Sequence, residues 1–196
     1  MNAISPPLQL ACHPAKVGNK LVFPYTIMNQ GPKDVFVMDA APGFDALKRR
    51  VQPDPQSCVV LLGSDDYVII GKFIPPLPLD RTIAVPIMPL AARLPAGSSL
   101  ERQLELPTPL AEASPYFPDL PLRRYEPLEI KGVVFTIGYW PADRDNLVAS
   151  PLDDEPELYR VVTRNTAASA ALVTVRFPTK GLQIFKRTDP FPRSLG

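Results

Sequence analysis

Histidine is nearly missing from this chain: His13 is the single one in 196 residues, beside two cysteines and one tryptophan. One imidazole excludes sites built on several histidines, and any Ser-His-Asp or Cys-His arrangement depends on His13 alone. On a strand its neighbour Cys12 faces the opposite way, so the adjacent pair is no dyad, and a hydrolase would need Cys58 or a distant serine carried to His13 by the fold. An excess of one charge sign is also lacking. With 21 Lys and Arg against 20 Asp and Glu the net charge is +1 and the signs are interspersed, so nucleic acid is not an expected partner. The basic groups Lys48-Arg49-Arg50 and Arg123-Arg124 are too short for a nucleic-acid stripe. No apolar run has the length of a membrane span, and the first residues lack the basic and apolar regions of a signal peptide. With no Asn-x-Ser/Thr acceptor either, the expectation is a soluble, unexported, cytoplasmic chain. Neither type of glycine-rich phosphate loop occurs, and no cofactor is expected.

What the chain has in quantity is proline and branched apolar residues. Pro and Gly make up 36 residues, short of a low-complexity coil, while Leu, Ile, Val and Phe together number 58, enough for a packed core in a single domain. The dominant period is two: in Leu100-Glu101-Arg102-Gln103-Leu104-Glu105-Leu106 the leucines share one face. Comparable stretches at Leu21 to Met28, Val35 to Met38, Cys58 to Leu62, Tyr67 to Phe73, Thr82 to Ile87, Val133 to Trp140, Tyr159 to Thr163, Ala171 to Phe177 and Leu182 to Lys186 bring the expected strands to ten. Turn residues at Asn29 to Pro32, Gly63 to Asp66, Pro95 to Gly97 and Pro178 to Gly181 predict short links between antiparallel neighbours. Helix has room only at Gly43 to Val51 and Pro109 to Ala113. Pro24 and Pro86 fall inside predicted strands, which places those strands at edges or gives them bulges.

Two proline tracts interrupt the pattern. Pro75-Pro76-Leu77-Pro78-Leu79-Asp80-Arg81 reads as a rigid link, because Asp80 stands where a groove-binding ligand carries a basic residue. Pro107 to Pro127 is long for a connection, and its Leu110, Tyr116, Phe117, Leu120 and Leu122 suit it to wrap over the sheets. The acidic run Asp153-Asp154-Glu155-Pro156-Glu157 lacks the spacing of a calcium loop and reads as a solvated turn. Cys12 and Cys58 lie among apolar neighbours and read as small buried hydrophobes, with their pairing left open. Aromatic and arginine side chains are the residues that anchor interfaces, which makes Tyr116, Phe117, Arg123, Arg124, Tyr139 and Trp140 the candidate binding residues, with Tyr139 and Trp140 on opposite faces of one strand.

Leu21 to Val37, with its Phe23-Pro24-Tyr25-Thr26-Ile27 strand and Asn29-Gln30-Gly31-Pro32 turn, resembles the strand-turn-strand unit of immunoglobulin-like sandwich domains. Leu94 to Glu101 is similar to the Pro-x-Gly turn that precedes a strand in many of them. The resemblance implies architecture, and no function travels with it. The Cys, Trp, Cys pattern of antibody domains is absent. The expectation is therefore an all-β, antiparallel, immunoglobulin-like β-sandwich with a proline-rich wrap and little helix. Its expected role is non-catalytic protein binding or assembly, including self-association, because Val133 to Trp140 and Val35 to Met38 are apolar on both faces. The alternative is a carrier of a small apolar ligand, its pocket lined by Phe135, Tyr139 and Trp140.

Overall fold

A computed structural model describes residues 7–45, 50–77, 83, 87–117, 122–144, 146–164 and 169–188. The fold is all-β. The strands in chain order are β1 (Leu8–Cys12), β2 (Ala15–Val17), β3 (Lys20–Asn29), β4 (Val35–Asp45), β5 (Arg50–Asp54), β6 (Val59–Leu62), β7 (Tyr67–Lys72), β8 (Leu90–Leu94), β9 (Ser99–Pro107), β10 (Leu110–Ala111), β11 (Tyr125–Pro141), β12 (Val148–Pro151), β13 (Leu158–Val162) and β14 (Ala171–Arg187). They form a four-stranded sheet, β1, β2, β3 and β9, and a ten-stranded sheet in the order β10-β14-β11-β4-β8-β13-β12, with β5 on β4 and the β6–β7 hairpin beside β11.

The two sheets bury a shared core. β3 alternates cleanly, sending Leu21, Phe23, Tyr25 and Ile27 inward. Phe23 stacks on Phe135 of β11 at 5.3 Å between ring centroids, and Tyr25 leans on the same ring at 5.0 Å. Val35 and Val37 of β4 point into this core, while Phe36 and Met38 point to a second one on the far face of the large sheet, with Trp140, Val59, Leu61 and Phe73. The doubly apolar strands are thus covered on both sides, as their composition requires.

Several expectations are corrected. Pairing is mostly antiparallel, yet β7 runs parallel to β11 from Gly132↔Tyr67 to Ile137↔Lys72, and β10 runs parallel to β14. Gly43 to Asp45 ends β4 and Arg50 begins β5, which pair antiparallel, so the flanks of the expected helix are strand; residues 46–49 lie outside the described ones. Leu110 and Ala111 are strand rather than helix, and Ala113 bridges Val60. The Pro178 to Gly181 turn is instead a bulge inside one long strand: β14 pairs with β11 on both sides of it, Phe177 and Pro178 with Val133 and Gly132, then Leu182 with Ile130. Gly181, at φ +66°, supplies the left-handed residue that this detour needs.

The links at Asn29 to Pro32 and Pro95 to Gly97 do not join neighbours; each carries the chain from one sheet to the other. Buried Asn29 clamps both corners. Its Nδ2 donates to the Lys33 carbonyl at 2.9 Å and the Leu94 carbonyl at 3.1 Å, and its Oδ1 accepts from Gly31 N at 3.1 Å. Pro24 sits in a central strand, not an edge. Its missing N–H faces the break between β1 and β2, where its carbonyl accepts from His13 N at 3.2 Å. The expected Thr82 to Ile87 strand, Pro86 included, lies almost wholly outside the described residues, and the described Ile83 and Ile87 are not strand.

β7 approaches β11 so closely that Gly71 has no room for a side chain: a Cβ there would stand 1.8 Å from the Thr136 carbonyl oxygen. Gly71→Ala should therefore lower unfolding free energy by about 3 kcal/mol, as backbone overpacking does, read as a drop in the urea midpoint. Gly97→Ala, where a Cβ meets nothing within 4 Å but φ is +74°, should cost only about 1 kcal/mol.

Candidate functional site

One edge of β11 is shared. β7 occupies it up to Ile137, and β4 takes over at Tyr139 to Pro141. From there β4 leaves to pair with β5 while β7 ends at Lys72, so the large sheet forks. A cavity of 280 Å³ fills the fork. Three consecutive residues from each arm line it, Ala40 to Pro42 of β4 and Gly71 to Phe73 at the end of β7, together with Ser57 to Val59, which lead into β6. Successive strand residues point to opposite faces, so the cavity is a slot through the plane of the sheet. Pro75, Ile87, Pro89 and Pro115 complete an apolar wall.

A buried ion cluster ties the fork. Asp39 and Lys72 are 4% and 5% exposed. Lys72 Nζ donates to the Asp39 carbonyl at 2.5 Å and lies 3.4 Å from its Oδ1. Arg102, reaching in from β9, donates to the same carboxylate through Nε at 3.0 Å and Nη2 at 2.9 Å. Two cations face one anion, and the Tyr25 ring lies 5.9 Å from the ammonium. Burial holds the Lys72 ammonium below the ordinary lysine range, opposed by the Asp39 charge. Glu112 is the other buried carboxylate of note. It accepts from Leu62 N at 3.1 Å and Arg187 N at 2.8 Å, binding β6 to β14 across β10.

Cys58 lines the slot, and Cys12 is buried in the shared core; both thiols are free. Burial pushes each up to about 12, which leaves both protonated at neutral pH and poor as nucleophiles. His13 is exposed, beside a shallow depression on the outer face of the small sheet, while its neighbour Cys12 points inward. Among the described residues no group of three His, Cys, Asp or Glu could hold a metal ion. In the acidic run, Asp154 pairs with Arg50 at 2.8 Å.

The six candidate binding residues are not brought together as one exposed surface. Trp140 is 0% exposed in the second core, and Tyr139 is buried in the shared core, opposite to it as alternation requires. Tyr116 is buried, its hydroxyl accepting from Ile87 N at 3.0 Å. Phe117 packs on the second core under the Arg187 guanidinium at 4.5 Å. Arg123 and Arg124 are exposed in a 3-10 turn, where the Arg124 carbonyl accepts from Thr188 N at 3.0 Å. The described part of the proline tract is therefore built into the sheets by β10 and the Ala113 bridge. Phe135, too, is spent on core packing.

Exposed backbone edges distinguish themselves more clearly. Among the described strands β9 has a partner on one side only, but the Gln56 side chain stands in for a strand on the other: its Nε2 donates to the Gln103 carbonyl at 3.2 Å and its Oε1 accepts from Glu105 N at 3.0 Å. β12 is four residues long and ends in Pro151. Over Ala171 to Phe177 β14 has no such stand-in: β1 of the small sheet lies close to the strand without pairing, and proline, Lys180 and the bulge come only beyond Phe177. β10 covers β14 at Ile184 and Phe185, and no described strand pairs with that side of Ala171 to Gln183.

No family model matches the chain, and neither a curated protein nor a solved structure matches it. No helix among the described residues is long and apolar enough to cross a membrane.

The thiols set a pH dependence. Their folded values lie above the unfolded ones near 9, so the stability they contribute is complete below pH 9 and is lost as pH climbs toward 12. Tyr25, raised chiefly by burial, acts in the same direction higher up. Urea midpoints taken from pH 8 to 11 should fall with pH, and should fall less steeply in the Cys12→Ala, Cys58→Ala double variant.

Proposed function

We propose that this chain is a non-catalytic assembly module on an immunoglobulin-like β-sandwich, associating with a second copy of itself through the open edge of β14. The single observation that carries the reading is the contrast between edges: natural sheets blunt a long edge with proline, charge or a covering group, and Ala171 to Phe177 has no proline and one charge, Arg176. Leu172 is 57% exposed there. The same edge already accepts a strand from its own chain at β10.

An antiparallel pair centred on Thr174 is self-complementary under twofold symmetry. It sets Thr174 against its own copy, Val173 against Val175, Leu172 against Arg176 and Ala171 against Phe177, with no like charges opposed. Val173, Val175 and Phe177, which pack on the shared core, would extend one apolar layer across both copies. The sheet-crossing corner at Asn29 supports the immunoglobulin-like part of the reading, from which the parallel β7–β11 pair departs.

A second reading, a carrier of a small apolar ligand, is favoured by the slot in the fork rather than by Phe135, Tyr139 and Trp140.

Native mass spectrometry and light scattering across a wide concentration range test the assembly. The expected result is a concentration-dependent dimer, its dissociation constant raised about tenfold or more by Thr174→Lys, which opposes like charges at the centre of the pair, and unmoved by Glu101→Lys on β9. A monomer at every concentration, or a dimer indifferent to Thr174→Lys, overturns it.

A further inference from the structure

The slot has a chemical character of its own. Its wall is apolar, from Pro42, Phe73, Pro75, Ile87, Pro89 and Pro115, and it is lined as well by Lys72, a buried cation. An ammonium has three donors. Asp39 engages Lys72 through its carbonyl at 2.5 Å and its Oδ1 at 3.4 Å, which leaves one N–H for a further acceptor. The hydrogen-bonded cluster also divides its counter-charge: Lys72 and Arg102 share the one carboxylate of Asp39, and of the two cations Arg102 is part-exposed, with Glu157 also acting on it, while Lys72 is buried. Cys58, the remaining titratable lining residue, does not offset this, since burial keeps its thiol neutral. A buried ammonium that shares its counter-charge with a second cation is stabilised by an anion brought to it. The volume limits what else the anion carries: 280 Å³, at about 30 Å³ for each small group, holds about 10 non-hydrogen atoms.

We infer that the fork slot binds a compact apolar monocarboxylate, its hydrocarbon part against the proline and phenylalanine wall and its carboxylate accepting from the free N–H of Lys72. The assignment rests on the carrier reading and is independent of the β14 edge. Residues from β4, β6 and β7 all line the slot, so the ligand would bridge the two arms of the fork.

Octanoate, with 8 carbons and 2 oxygens, matches that size and serves as the probe, with octanol as its uncharged counterpart. Calorimetric titration should show octanoate binding at least tenfold more tightly than octanol. Ala41→Leu, which fills the slot without touching a charge, should abolish binding of both, and Lys72→Met should bring octanoate down to the level of octanol. Because Lys72→Met removes a buried partner of Asp39, its fold is checked by circular dichroism; should it unfold, the octanoate-to-octanol ratio in the unaltered chain decides. Cys58 gives a second readout at alkaline pH, where a fraction of the thiol ionises: octanoate should slow its alkylation by iodoacetamide, while Cys12, in the shared core, is unaffected. Equal affinity for the two probes overturns the carboxylate assignment and leaves the carrier reading standing. No binding of either up to millimolar concentration, or binding untouched by Ala41→Leu, overturns both.

Discussion

A β-strand has two edges and no more, and β11 is asked to satisfy three neighbours with them. One edge is given to β14 along most of its length. The other is divided, β7 taking the middle and β4 the end. Since every backbone N–H and C=O in a buried strand needs a partner, β4 and β7 must meet where the division falls. They meet head-on along the same edge, β7 running up it to Ile137 and β4 coming down it from Pro141 to Tyr139, so each must leave the edge there. The fork, the slot within it and the ion cluster that ties its arms all descend from that division.

The cluster illustrates how the fork is held. Lys72 at the end of β7 reaches the backbone and the side chain of Asp39 on β4, and Arg102 brings in the small sheet. A charge trio in such a place is weak as a source of stability, since desolvation consumes most of the attraction. Its value lies in geometry: it fixes the two arms and the opposite sheet relative to one another. Asn29 does the same with neutral groups at the corners where the chain changes sheets.

Much of the strand content was legible from alternation, which β3 and β9 follow closely, while β11 was legible as a run apolar on both faces. β1 shows an equally clean alternation, Leu8, Leu10 and Cys12 inward against Gln9 and Ala11 outward, over only five residues. Turn chemistry was legible as local shape but not as destination. Gly181 marks a left-handed residue whether the chain reverses or merely bulges, and Asn29 to Pro32 reads alike whether it joins two neighbours or two sheets. The slot was beyond reach, because it arises from a parallel pairing between segments some sixty residues apart. Its clue was present all the same: Asp39 directly after an apolar strand and Lys72 near the end of another are charges in places where charge must find a partner. The aromatic pair Tyr139 and Trp140 misled for a related reason, since alternation tells that two residues part company and not that both faces are covered.

The parallel alignment of β7 with β11 also bears on how the molecule is assembled. A parallel partner cannot be delivered by a tight hairpin, and β8, β9 and β10 all intervene between the two strands. The centre of the large sheet therefore cannot grow outward from a local nucleus such as the β6–β7 hairpin. It closes only after more than fifty intervening residues have been laid across the sheets, which places the chain among high-contact-order topologies, where loop-closure entropy falls due before the core can repay it.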